Sequence, residues 1–477
     1  MFNKSVNIST GARAANSSIY YNVGDFFIHN RYNYRMNIAK RLPMYCVYAL
    51  LAYMPFHIFL SQWLSLATGG LEIWKVAKDL VLLLITVFSI ISVWILQKQN
   101  KLFNTLVALT SLYAIIHLLV WWVNKDIYSE TAILGTTYNV RVFGYLLLGY
   151  SAVLLWPEKI DYSKVIKIVL WVSSIVSLLA ILQYLLPRDL MSHFGYSLER
   201  GVRPTFFIDD KPDLPRVMST IRDPNSLGAY LLLPILFLID GYRKNKQKMF
   251  YAGLILLHFL ALFLTFSRAA LVGLGISVIA YFVLSYGKNF SFQRFKKPIL
   301  ITASVLVLLS IFGFVLRDQY VVQNIILHSD ETTTAELDSN DLHLEFTKTS
   351  AQKIVDKPIG HGPGTAGIVS IRNPDGGLLT ENYYLQIAYE TGIVGLLLYL
   401  IMCVIVLFSL PSGNIMARCL FSAFVAYSIM ALIMHLWSNE AVSAQWWLLT
   451  GFVLGGVASK AYKGILGGLP LYKKLSM

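Results

Sequence analysis

Arginine suits phosphate recognition because its planar fork donates two parallel hydrogen bonds at once. Several stretches of this chain set cations beside long apolar runs. In 265–270, Thr-Phe-Ser-Arg-Ala-Ala, Arg268 sits in a turn of a few residues between two runs. It is either an interfacial arginine reaching for water or a cation aimed at an anionic lipid-linked substrate. In 214–230, LPRVMSTIRDPNSLGAY, Arg216 and Arg222 lead into another run. Asp223 is suited to cap that helix and Pro224 to open it. Two arginines beside a positive helix end would form an anion site. Residues 72–79, EIWKVAKD, set Lys75 and Asp79 four apart, where they can simply pair. Arg141, early in a further run, says little alone.

Two polar stretches add other chemistry. Residues 360–367 read Gly-His-Gly-Pro-Gly-Thr-Ala-Gly, so Gly362 and Gly364 allow either a tight turn or close backbone approach to a ligand. The spacing of a nucleotide P-loop is absent. In 381–392, ENYYLQIAYETG, Glu381 and Gln386 flank Tyr383 and Tyr384. This is either an interfacial tyrosine belt with a capping carboxylate or a carboxylate base beside a sugar-binding aromatic surface. Cys46, Cys403 and Cys419 lie far apart in apolar runs, with neither disulfide nor zinc spacing, and read as small buried hydrophobes.

The elements that must position these groups are membrane spans. Of 477 residues, 56% are hydrophobic and 14% charged, against about a quarter charged in soluble proteins. A soluble domain, a disordered chain, a coiled coil and a nucleic-acid-binding module are excluded as the dominant character. The net charge of +14 fits cytoplasmic loops held against anionic lipid. Runs near 43–66, 73–96, 103–123, 138–156, 165–186, 224–240, 248–266, 269–286, 298–316, 386–410, 416–436 and 441–459 are each near the length of a span. The fold class is therefore an all-α polytopic membrane protein of about twelve helices. No cleavable signal precedes the first span, which is expected to act as a signal anchor.

Lys and Arg gather in alternate connections, which predicts both termini in the cytoplasm. The expected organisation is a cytoplasmic segment 1–42, spans one to nine in 43–316 with an outer loop at 187–223, a large extracytoplasmic loop 317–385, spans ten to twelve in 386–459, and a basic cytoplasmic tail 460–477. Within the large loop, 341–356 predicts one amphipathic helix, ended by Pro358 and the glycines. No internal repeat is visible, and the centres of the spans carry almost no charge. Charges gather at the outer ends, where an anionic lipid headgroup is the natural partner.

Four segments, in order, resemble the O-antigen ligase/O-antigen polymerase family of bacterial envelope glycan assembly: LPRVMSTIRDPNSLGAYL, LTFSRAALVGLG, IVDKPIGHGPGTAG and ENYYLQIAYETGIVGLLLYL. By motif the resemblance covers roughly residues 200–410, and by topology the whole chain. It implies a metal-independent, inverting glycosyltransferase of the GT-C type, without cofactor, in the cytoplasmic (inner) membrane. The donor would be a glycan on undecaprenyl pyrophosphate at the outer face, the acceptor a hydroxyl of a glycan, lipid or protein. Arg216 and Arg268 would grip the pyrophosphate, with Arg222 and Lys75 in support. Asn382, Tyr384, His361, Gly362 and Gly364 would lie toward the glycan. Ligases of the family carry histidine where this chain has Glu381. That carboxylate is the first candidate base, with His343 on the loop helix and His361 in the glycine turn behind it. Ligase and polymerase share a donor and differ in acceptor, so the residues leave both open. A flippase of lipid-linked oligosaccharide is the competing class, and a sensor or scaffold a more distant one.

Overall fold

The computed structural model describes residues 38–208, 211–286, 339–373 and 376–459, the side chains of 212 and 339–344 excepted. Apolar runs become helices because only a helix satisfies its own backbone inside a bilayer. In chain order they are α1 (Ile38–Thr68), α2 (Leu71–Ile95), α3 (Lys101–Val123), α4 (Ser129–Leu155), α5 (Tyr162–Leu185), α6 (Pro224–Lys244), α7 (Lys248–Phe263), α8 (Arg268–Tyr286), α9 (Ser339–Asp356), α10 (Tyr383–Ser409), α11 (Ile415–Met430) and α12 (Glu440–Ala458). Among the described residues, nine are long and apolar enough to cross a membrane, and α7 and α11 are shorter apolar helices. These match every expected span but 298–316, which lies outside the described residues, as do most of 1–42, 317–338 and the tail from 460. The amphipathic helix expected at 341–356 is α9. The 187–223 loop also holds an antiparallel pair, β1 (Phe206–Ile208) and β2 (Lys211–Arg216), with Phe206 opposite Arg216.

The centre of the bundle is α4 against α12, whose apolar windows are 83% and 89% buried. Glycine lets their backbones touch: a Cβ at Gly149 would meet the Leu448 carbonyl oxygen at 2.2 Å, and one at Gly451 the Leu146 oxygen at 2.0 Å. Helices α2, α3, α5 and α8 lie outside this pair and turn apolar side chains such as Leu83, Leu118, Trp171 and Val272 outward. Asx side chains start the helices that carry polar heads. Asp223 accepts from the Ser226 N–H at 2.9 Å, Asn382 from those of Tyr384 and Leu385, and Asn439 from those of Ala441 and Val442. The heads of α6, α10 and α12 and the α7–α8 hairpin meet at one end of the bundle.

Two expectations about charge are corrected. The spans do hold buried charges: Lys78, Asp79, Arg141, Glu390 and Glu440 are each less than 9% exposed. They are tolerated because each finds a partner across helices. Lys75 and Asp79 do not pair. Lys75 turns to Glu72 at 3.0 Å, while Asp79 faces inward to Lys78 at 2.9 Å and Arg141 at 3.4 Å.

Candidate functional site

At this end of the bundle lies a cavity of about 190 Å³. Its wall comes from four separate stretches, one of them Ile368 in the loop after the glycine turn. The head of α6 gives Arg222, Asp223, Asn225 and Ser226. The segment before α10 gives Glu381, and the α11–α12 connection gives Ile433, Met434, His435, Ser438 and Asn439. Both expected ends of the chemistry, a guanidinium and a carboxylate, thus share one space. Glu381 sits at φ 48°, a left-handed conformation unusual for a side chain of its size, and the cap made by the next residue, Asn382, fixes where it projects. The bond from the Tyr383 N–H to the Ala431 carbonyl, 2.8 Å, ties this turn to the end of α11.

His435 is the residue the sequence reading missed. Its Nδ1 lies 2.8 Å from Gln386 Oε1, and its Nε2 is buried with no hydrogen-bond partner among the described residues. Burial lowers its pKa to about 4, with Glu381 pulling upward and Arg222 pushing downward. The imidazole is therefore neutral near pH 7. A lone histidine in an apolar connection gave no signal; only Gln386, 49 residues away in sequence, gives it meaning.

Arg216, at the end of β2, donates from Nε to the Thr265 carbonyl at 2.9 Å and from Nη2 to Asn225 Oδ1 at 2.8 Å. The Val217 N–H donates to the Leu264 carbonyl. The strand is thereby fastened to the Ser-Arg hairpin, and Arg216 reaches the cavity rim through Asn225. Arg268 opens α8 on the same hairpin and is exposed. Neither arginine is among the residues lining the cavity; Arg222 is. Lys75 bonds Glu72 and the Arg200 carbonyl. The side chain of His343, on α9, lies outside the described residues.

The glycine turn makes its close approach to protein. A Cβ at Gly364 would lie 2.2 Å from the Thr131 carbonyl oxygen, and one at Gly362 would lie 1.9 Å from Ile127. The loop docks on a break in α10. Gly392 has φ 72°, and the groups freed there are taken by the loop: His361 N–H to Tyr389 O at 2.8 Å, Gly362 N–H to Glu390 O at 3.0 Å, and Ile393 N–H to Pro358 O at 3.1 Å. Buried Glu390 accepts from the N–H of Gly364 at 2.9 Å and of Ala366 at 3.3 Å, and from Asn139 at 2.6 Å. The usable signal was an acidic residue inside an apolar run. His361 stacks on Tyr389 with centroids 3.9 Å apart, and burial with nearby Lys357 lowers its pKa. Asn382 is spent on the α10 cap, and the Tyr384 hydroxyl donates to the Ser428 carbonyl at 3.3 Å.

Behind the cavity a second cluster closes. Arg141 donates to the Ser438 carbonyl at 2.6 Å, lies 3.4 Å from both Asp79 and Glu440, and stacks 4.0 Å from the Tyr138 ring. Lys78 lies 3.6 Å from Glu440. Two cations and two carboxylates balance, and through Ser438 they hold the wall that carries His435.

Fold and site define a polytopic all-α membrane protein with a polar, charge-bearing cavity at one end of its bundle. A family model described as O-antigen ligase matches residues 252–400, from α7 into α10. An O-antigen polymerase of Salmonella muenchen is 20% identical over 249 residues, covering 52% of this chain. The chain spans 60% of that relative's length. Over these stretches the chain is similar to the O-antigen ligase family and to an O-antigen polymerase.

Proposed function

We propose that the protein is a glycosyltransferase that transfers or polymerises a glycan from undecaprenyl pyrophosphate onto an acceptor hydroxyl, at the outer face of the cytoplasmic membrane. The observation that carries this reading is the meeting of Arg222 with Glu381 in one cavity beside the fastened Arg216–hairpin unit. Pyrophosphate is already a good leaving group. What the protein must add is positive charge where negative charge grows, together with positioning. Arg222 and the α6 N-terminus would supply the charge at the cavity, with Arg216 joined to its wall through Asn225 and Arg268 on the hairpin to which Arg216 is fastened. Glu381 supplies the negative charge beside which the hydroxyl loses its proton. Attack from the face opposite the diphosphate inverts the anomeric centre, and the reading assigns no step to a metal.

The competing flippase reading asks for charges along a path open to both ends. The buried charges Lys78, Asp79, Arg141 and Glu440 are instead closed onto one another, and Glu390 onto backbone N–H groups and Asn139. The test is incubation of the purified protein with an undecaprenyl-pyrophosphate glycan and candidate acceptors, with mass spectrometry of the products. Glycan joined to acceptor is expected. Lipid-linked glycan crossing a liposome bilayer with nothing transferred would replace this reading with transport.

A further inference from the structure

We propose that His435 is the catalytic residue that takes the acceptor's proton, and that Gln386 is the positioning residue that leaves its Nε2 free to do so. The proposal rests on the transfer reading and names the base within it.

Glu390 sets the orientation of Gln386. Backbone N–H groups of Gly364 and Ala366 and the Asn139 amide all donate to that carboxylate, and Gln386 hydrogen-bonds to it as well. A carboxylate surrounded by donors takes the NH2 end of Gln386, because the amide oxygen has nothing to donate. The oxygen then points the other way, and it lies 2.8 Å from His435 Nδ1. Only a protonated Nδ1 can donate to it, so the lone pair of the neutral ring is on Nε2. That atom is buried without a partner among the described residues, and His435 lines the cavity that Arg222 and Glu381 also line.

The step balances within these groups. The acceptor oxygen bonds to the anomeric carbon, and the bond from that carbon to the diphosphate oxygen breaks, its electron pair leaving on the diphosphate. The hydroxyl proton passes to Nε2. Glu381 steadies the imidazolium, and the proton returns to water after product leaves. The charged groups that act on the ring are Glu381, from the turn before α10, and Arg222, from the head of α6, with Asp223 also on the cavity wall. His435 keeps its lone pair at neutral pH because burial holds it unprotonated.

The experiment uses the full chain in nanodiscs with undecaprenyl-pyrophosphate glycan extracted from the producing cells. His435→Asn keeps a donor toward Gln386 and removes Nε2. Its kcat is expected to fall by about 100-fold or more, within the range for loss of a general base. Affinity for undecaprenyl pyrophosphate alone is expected to stay near wild type. Added imidazole is expected to restore part of the rate of His435→Ala, and not that of Arg222→Ala. Gln386→Leu, which frees the wrong tautomer, is expected to fall less and to keep its KM. A stable His435→Asn variant with kcat near wild type overturns this proposal and leaves glycan transfer standing. Wild-type protein that neither binds undecaprenyl pyrophosphate nor forms product overturns the transfer reading, and this proposal with it.

Discussion

Arg222 differs from Arg216, Arg268 and Lys75 in lining the cavity itself, at the head of a helix whose positive end adds to its charge. Replacing it with Ala is expected to lower glycan transfer at least about 100-fold, the scale on which one charge-stabilising donor acts. Lys should recover only part, because a point charge cannot grip two oxygens at once. Equal rates for Arg222→Lys and wild type in the transfer assay would remove the bidentate grip from the argument. His435 carries a second expectation, in stability. Its folded pKa, about 4, lies below the ordinary 6.5, so the unfolded chain binds the extra proton between those values. Stability is full above pH 6.5 and is lost as pH falls toward 4. Melting curves should therefore show the Tm advantage of wild type over His435→Asn shrinking across that window and constant above pH 7. Arg222 and Glu381 were legible in the sequence because charge beside an apolar run is costly and stands out. His435 was not, because an isolated histidine is informative only through its neighbours in space.

The elements themselves were legible almost throughout, since hydropathy alone marks a span. What it could not mark is where a span breaks. Helix α10 is one apolar run in sequence, yet Gly392 interrupts it and the glycine turn fills the gap. The turn's glycines looked equally suited to a ligand or to a tight turn, because composition does not say which backbone comes close. Here it is that of α4 and α10. Gly392→Val would bring a Cβ within 2.5 Å of the Pro358 oxygen at a φ of 72°. The loop is then expected to undock. Hydrogen exchange should rise at His361, Gly362 and Gly364 while the α4–α12 pair stays protected, and unchanged exchange at those three would refute the docking. The β1–β2 pair escaped for a different reason: strands this short, with prolines at 212 and 215, carry no readable alternation.

At the scale of the molecule, long separations in sequence close the structure. Arg141 and Glu440 are 299 residues apart and are in contact. Alone, Arg141 could not be interpreted, since its meaning depends on α4 packing against α12 and on α2 bringing Asp79 beside them. Removing it by Arg141→Met leaves two buried carboxylates with one cation, a loss expected to cost about 3–5 kcal/mol. Arg141→Met with Glu440→Met restores the balance and should recover part of that in thermal unfolding, whereas equal loss in single and double variants would argue against a charge network. Which face of the membrane the cavity meets follows from a different molecular property, the distribution of Lys and Arg. The end of α6, the connection to α7 and the start of α7 carry Arg243, Lys244, Lys246 and Lys248, whereas the 187–223 loop and the helix heads around the cavity lie at the opposite ends of their spans. Positive loops stay in the cytoplasm, so the cavity should open outward, where a lipid-linked donor would be presented. Exposed Lys246 and Glu199 make the test direct. With Cys46 changed to Ser, and with Cys403 and Cys419 buried, Glu199→Cys should react with a membrane-impermeant maleimide in intact spheroplasts and Lys246→Cys only after permeabilisation. The reverse pattern would turn the cavity toward the cytoplasm and make transfer at the outer face untenable.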